Sequence, residues 1–163
     1  MPLPADTTIR RFQEADLPYV HELVHKTIDI SYPADYSARV IELFKEFHSH
    51  ENILEDTRNG CTLVALHDGE IVGTGTLLKA HIRRVFVNPT LHGRGIGSLI
   101  AAELEKIAAD NSETVLDLAA ALGSRTFWEA RGFTVQEELF APAREDVTIH
   151  YYTMEKSLNS PRT

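Results

Sequence analysis

The segment "VFVNPTLHGRGIGSLIAAELEKIA", residues 85–108, leaves few choices of fold. A β-branched and aromatic run ends at Val87, Asn88 and Pro89 turn the chain, and Gly93, Gly95 and Gly97 lead directly into a helical sequence. In that helix Ile96, Leu99, Ile100, Leu104 and Ile107 recur at the spacing of one apolar stripe. A strand thus feeds a helix through a glycine-rich turn. The start of a helix carries unpaired N–H groups and about half a positive charge, which suits a phosphate oxyanion, and glycines let the backbone approach it. The same glycines also serve a turn that merely permits tight strand–helix packing.

The rest of the chain surrounds this unit with alternating elements. "TTIRRF" reads as a first strand, and a helix follows with Asp16 as N-cap, Pro18 in its first turn and Leu17, Val20, Leu23, Val24 and Ile28 at helical spacing. After "SYPADYS", Val40, Leu43, Phe44 and Phe47 mark a second amphipathic helix, and "ENILEDTRNG" adds a short helical piece ending at Gly60. "CTLVAL" and "EIVGTGTLL" flank "HDG", a hairpin signal. "HIRRVFV" is the next strand, and strict alternation puts His81, Arg83, Val85 and Val87 on one face. "TVLDLA", the helix "SRTFWEARG" and the strands "FTVQEELF" and "VTIHYYTMEK" complete the order βααβββαβαββ. The expected class is α/β (α+β), a mixed, mostly antiparallel sheet flanked by helices. With no linker or repeat, residues 1–163 are expected to form one domain, ordered from about residue 7 to 157, with disordered ends at 1–6 and "SLNSPRT".

Charge narrows the partners. The formal net charge of −8 argues against nucleic acid or an anionic membrane and tolerates a cationic substrate. No apolar run approaches the roughly 20 residues of a membrane helix, and "MPLPADTTIRR" lacks a signal peptide's apolar stretch, so a cytoplasmic location is expected. Cys61, the single cysteine, leaves no intrachain disulfide or multi-cysteine metal site, and its strand-like context fits a buried inert thiol better than a nucleophile. No metal is expected.

Two phosphate loops fit the glycines badly. A nucleoside-triphosphate loop needs a lysine where Ser98 and Leu99 follow Gly97, and the dinucleotide fingerprint needs a glycine where Ser98 stands. Residues 92–97, "HGRGIG", instead resemble the acyl-CoA loop [QR]xxGx[GA] of the GCN5-related N-acetyltransferases, with His92 in place of Gln or Arg. The preceding Val85, Phe86 and Val87, the "NP" loop, the long helix, "FWEARGF" and the final "YYTMEK" strand also resemble that family, from about Ile9 to Leu158.

The resemblance implies a sheet splayed at the acyl-CoA site and a cosubstrate, acetyl-CoA. Its pyrophosphate would rest on the amides of Gly93, Arg94, Gly95, Ile96, Gly97 and Ser98, and its pantetheine arm would pair with Val85, Phe86 and Val87. Arg94 is a further phosphate contact or a solvated cation. The acceptor implied is a primary amine of a small molecule or peptide, and a homodimer is allowed.

The chemistry needs a neutral amine. At a lysine-like pKa of ~10.4 only roughly one molecule in two thousand is neutral at pH 7, a cost of about 4–5 kcal/mol unless a base takes the proton. His81 stands where some relatives carry a base glutamate, and it is either that base or a solvent-facing strand histidine; Glu70 and Asp117 are weaker alternatives. Many relatives protonate the departing thiolate with the tyrosine of "FYEK", but Trp128 stands there, and the usual asparagine aligns with Ala121. Ser124 is a weak candidate acid or simply an N-cap, and Tyr151 and Tyr152 are conceivable alternatives. Tyr32, Tyr36 and His150 either line the acceptor slot or pack turns. Two other classes stay open: a protein of this fold that binds acyl-CoA without transferring it, and a nucleotide-binding regulator using the same glycines.

Overall fold

The computed structural model describes residues 2–144 and 146–158. Its elements are β1 (Thr7–Arg11), α1 (Leu17–Ser31), α2 (Ala38–Phe47), α3 (His50–Asn59), β2 (Cys61–His67), β3 (Glu70–Leu78), β4 (His81–Val87), α4 (Ile96–Asp110), β5 (Val115–Ala121), α5 (Arg125–Ala130), β6 (Thr134–Arg144) and β7 (Val147–Ser157), joined in places by single 3-10 turns. The piece at residues 50–59 is a full third helix. The seven strands form one sheet in the order β1-β2-β3-β4-β5-β7-β6, antiparallel throughout except for β4 beside β5.

Alternation along the strands supplies two cores. Leu63 and Ala65 pack with Ile96, Ile100 and Leu104 of α4, whereas Val64 between them packs with Val20, Val24 and Ile28 of α1 and Ile53 of α3. The "HDG" hairpin closes through Asp68 and Gly69, both at positive φ (52° and 76°), as a two-residue turn with both centres left-handed requires. Cys61 is buried, and burial pushes its thiol up, away from the reactive range. No helix among the described residues is long and apolar enough to cross a membrane.

Two local expectations are corrected. Asp16 precedes α1 but caps nothing in it: its carboxylate accepts from Arg10 Nη1 (2.7 Å), Arg10 Nη2 (3.0 Å) and Gln13 N (2.8 Å), closing the turn before the helix. The segment before Thr7 is held in place, because Pro4 is buried, Thr7 Oγ1 donates to Pro4 O (2.6 Å) and His67 Nδ1 donates to Ala5 O (2.8 Å). At the other end Ser157 closes β7 and Leu158 N donates to Thr114 O (2.8 Å); residues 159–163 of "SLNSPRT" lie outside the described residues.

The consequential departure is in β4. Arg84 adopts a left-handed φ of +60°, and the register with β3 slips there, Thr76 facing Arg83 but Thr74 facing Phe86. This bulge reverses the alternation, so Ile82 joins the α4 core while Phe86 joins the α1 core, and Val85 and Val87 pack on the α4 side. His81 and Arg83 therefore do not share a face with Val85 and Val87: Arg83 Nη1 reaches Asp56 of α3 (3.2 Å) on the opposite side.

The Arg84 side chain is 2% exposed; Nη2 donates to Asp56 Oδ2 (2.9 Å) and Nε donates to His48 Nδ1 (2.9 Å). Removing one partner of a buried ion pair typically costs about 3–5 kcal/mol. Asp56→Ala should therefore lower the unfolding free energy by about that much in urea titrations at unchanged m-value. Arg84→Gly should cost less, because glycine relaxes the left-handed turn and Arg83 stays beside Asp56.

Candidate active site

The bulge ends the pairing of β4 with β5. The two strands pair at His81–Asp117 and Ile82–Leu118 and then diverge. Asn88 N donates to Val72 O (2.8 Å), so alternation turns the main-chain groups of Phe86 toward β3 and those of Val85 and Val87 toward the opened gap. One of these is engaged: His92 Nε2 donates to Val87 O (2.7 Å), fastening the glycine loop to the strand end.

On one side of the gap lies a cavity of about 680 Å³. It is lined by Val85, Phe86, Val87, His92, Gly93, Gly95, Ile96, Gly97 and Ser98, and also by Tyr32, Tyr36, Ala121, Ser124, Phe127, Trp128 and Arg131. Gly95 is the N-cap of α4 with φ +89°, a conformation that residues other than glycine reach only with strain, and Ile96, Gly97 and Ser98, whose amides the helix itself leaves unpaired, line the cavity. Gly97 serves the packing reading instead, since a Cβ there would lie 3.0 Å from the Phe127 ring. Arg94 does not line this cavity; its Nε donates to Pro2 O (3.3 Å) across the N-terminal segment.

A second cavity, of about 980 Å³, opens on the α2–α3 side and includes His81, Arg83, Arg84, His48, Asp56 and Tyr151. Tyr32, Val85, Phe86, Ala121, Ser124 and Trp128 line both cavities and mark where they meet. His81 Nδ1 donates to the Asp117 carboxylate in a short contact, which leaves Nε2 as the lone-pair nitrogen. Ser124 stands before α5 in an αR conformation (φ −99°, ψ −9°), its side chain makes no capping bond, and it lines both cavities. Trp128 is 6% exposed, edge-on to both Phe127 (4.9 Å) and Phe133 (5.2 Å).

The remaining sequence candidates divide between the cavities and the surface. The Tyr36 hydroxyl donates to His150 O (2.7 Å) and accepts from Leu122 N (3.0 Å), tying the segment after α1 to β7 and to the end of β5. The His150 side chain lines neither cavity, because it stacks on Phe140 (4.1 Å) and donates to Glu138 (2.7 Å). Tyr152 lies under Arg125, and Glu70 is exposed at the β2–β3 hairpin. Sequence reasoning missed Arg131, whose signal was its i+4 spacing from Phe127 just before Gly132. Among the described residues no group of three or more His, Cys, Asp or Glu side chains is arranged to hold a metal ion.

A family model described as an acetyltransferase (GNAT) domain matches residues 32–158. The chain belongs to the GNAT acetyltransferase family. A GCN5-related N-acetyltransferase from Rhodopseudomonas palustris superposes with a TM-score of 0.87 at 23% identity, over 97% of this chain and 98% of that one. PaiA N-acetyltransferase from Thermoplasma acidophilum, solved with coenzyme A, gives 0.79 at 23% identity over 94% and 99%. A ribosomal-protein-alanine N-acetyltransferase from Brucella melitensis gives 0.69 at 21% identity over 93% and 99%. At these identities the likeness to each GNAT structure is one of fold. No curated protein sequence matches the chain.

Histidines behind the second cavity give this GNAT chain an acid sensitivity. Burial, with help from Arg84, His25 and Arg83, holds His48 down at about 3, and burial together with His25 and His50 holds His21 down at about 4. The unfolded chain binds protons near the ordinary 6.5 that the folded chain refuses, so this stability is complete above that value and is lost as pH falls toward 4. Urea midpoints should therefore drop between about pH 6.5 and 4.5, and His21→Gln should make the drop shallower.

Proposed function

We propose that the chain moves an acetyl group from acetyl-CoA directly to a primary amine of a small molecule or peptide. The observation that carries this reading is the unpaired edge of β4 at Val85 and Val87, beside a cavity lined by the first turn of α4 and a second cavity lined by His81, whose ring is held from behind by Asp117. Pantetheine fits the first as an added strand, drawing on the Val85 groups and Val87 N–H, while the amides from Gly93 to Ser98 receive the pyrophosphate. The coenzyme A held by the Thermoplasma relative supports this assignment.

The acceptor enters from the second cavity. Its nitrogen attacks the thioester carbon, the C–N bond forms, the C–S bond breaks, and the amine proton goes to His81. His81 lies four residues before Val85 on a strand rising about 3.3 Å per residue, so the proton travels through water. Asp117 holds the ring's Nδ1–H and stabilises the imidazolium that forms. Ser124, which lines both cavities, offers a hydroxyl to pass a proton to the thiolate.

His81→Ala should lower kcat at neutral pH by about 10²- to 10⁴-fold and leave acetyl-CoA affinity nearly unchanged. Gly95→Val should do the reverse, weakening CoA binding in calorimetry through strain at a positive φ. An undiminished kcat in the first variant removes His81 from the mechanism, and wild-type affinity in the second removes the loop.

Trp128 in the tyrosine position favours a second reading, an acyl-CoA-binding protein without transferase activity. Thiol release with a panel of amines separates the two, since a binding protein releases none above background hydrolysis. Preference for ATP or NAD over CoA would overturn both.

A further inference from the structure

A cofactor carrying a pyrophosphate and a 3′-phosphate approaches a chain of net charge −8, and the loop offers little side-chain charge to receive it. His92 is tied to Val87 O, and Arg94 is turned to Pro2 O and lies off the cavity. Among the described residues lining the first cavity, Arg131 is the one guanidinium or ammonium; the carboxylate there is Asp35, near Gly123.

Arg131 is held ready. Its Nη1 donates to Phe127 O (2.6 Å), its guanidinium carbon lies 4.2 Å from the centre of the Phe127 ring, and its Nε is buried with no partner among the described residues. The same ring packs against Gly97 in the first turn of α4. The cation thus stands one aromatic ring away from the helix N-terminus, with a buried donor unused. A buried unpaired N–H is costly to leave, and a charged donor meeting a phosphate oxygen is among the strongest hydrogen bonds available. We infer that Arg131 binds a phosphate of the cofactor, an anion hook supplied from the end of α5 in place of the missing loop side chains. This rests on the acyl-CoA reading above.

Calorimetry with CoA, 3′-dephospho-CoA and pantetheine on the wild type, Arg131→Gln and Arg131→Lys tests it. Arg131→Gln should weaken CoA by about 10- to 100-fold and leave pantetheine, which has no phosphate, unchanged; Arg131→Lys should recover part of the loss. If the partner is the 3′-phosphate, Arg131→Gln no longer distinguishes CoA from 3′-dephospho-CoA. If it is the pyrophosphate, both weaken by the same factor. Equal CoA affinity in wild type and Arg131→Gln overturns the inference, as does an equal loss for pantetheine, which would mark Arg131 as mere packing for Phe127. A wild type that binds pantetheine and CoA equally well also overturns it while leaving the slot intact, whereas one that binds no CoA overturns the acyl-CoA reading itself.

Discussion

The left-handed turn at Arg84 is the constraint on which the rest of the site depends. A non-glycine residue at φ +60° costs about 1–3 kcal/mol and persists only where its surroundings over-determine it. Here the guanidinium is buried between Asp56 of α3 and His48 at the turn before α3. Had β4 run straight, the Val85 and Val87 main-chain groups would have continued the ladder toward β5, and the gap would have closed. The bulge also separates the two faces, turning Val85 and Val87 to the α4 side while His81 and Arg83 stay on the α3 side. One dihedral thus creates both the slot and its access from opposite sides.

The two walls of the second cavity are held with unequal firmness. On the α3 side burial keeps His48 neutral, so its Nδ1 can accept from Arg84, and His25 Nε2 donates to His48 O (2.8 Å), linking α1 to the same anchor. On the β6–β7 side the ion pairs Arg39–Asp146 and Arg144–Glu46 are exposed, each worth about 0–1 kcal/mol. The apolar contacts of Val40 and Leu43 with Val147 and Ile149 carry most of that wall. The α3 wall is thus fixed by buried polar contacts, and the β6–β7 wall by apolar contacts with little electrostatic help.

Element order was legible because it rests on local signals: the "HDG" turn, the apolar stripe of α4 and the glycines before it. The bulge was not, since nothing in "HIRRVFV" marks Arg84 as left-handed, and the conformation is imposed by α3 from 28 residues away in sequence. Strict alternation therefore placed His81 on the wrong face while still finding it beside the gap. The arginines failed similarly. Arg94 drew attention by lying inside the motif, yet Pro2 O, 92 residues distant, directs it away, whereas Arg131 enters the cavity from α5. On sequence alone Ser124 is a weak candidate acid or an N-cap; capping favours an extended residue, and the 3-10 turn that ends with Ser124 leaves it in αR with no capping bond.

The missing tyrosine becomes intelligible once the two proton problems are compared in size. Presenting a lysine-like amine in its neutral form at pH 7 costs about 4–5 kcal/mol, whereas a thiol of ordinary pKa ~8.5 departs as its thiolate for about 2 kcal/mol above the neutral thiol. The larger cost falls on the acceptor side, where His81 is oriented by Asp117. The smaller falls at Trp128, whose indole is no acid but seals the meeting point of the cavities with an apolar surface. The two phenols in the first cavity are poor substitutes: Tyr36 already donates its proton to His150 O, and burial holds the Tyr32 hydroxyl well above its ordinary range. In the proposed reaction, then, the base determines the rate, and the thiolate takes its proton from water or through Ser124 after the bond has broken.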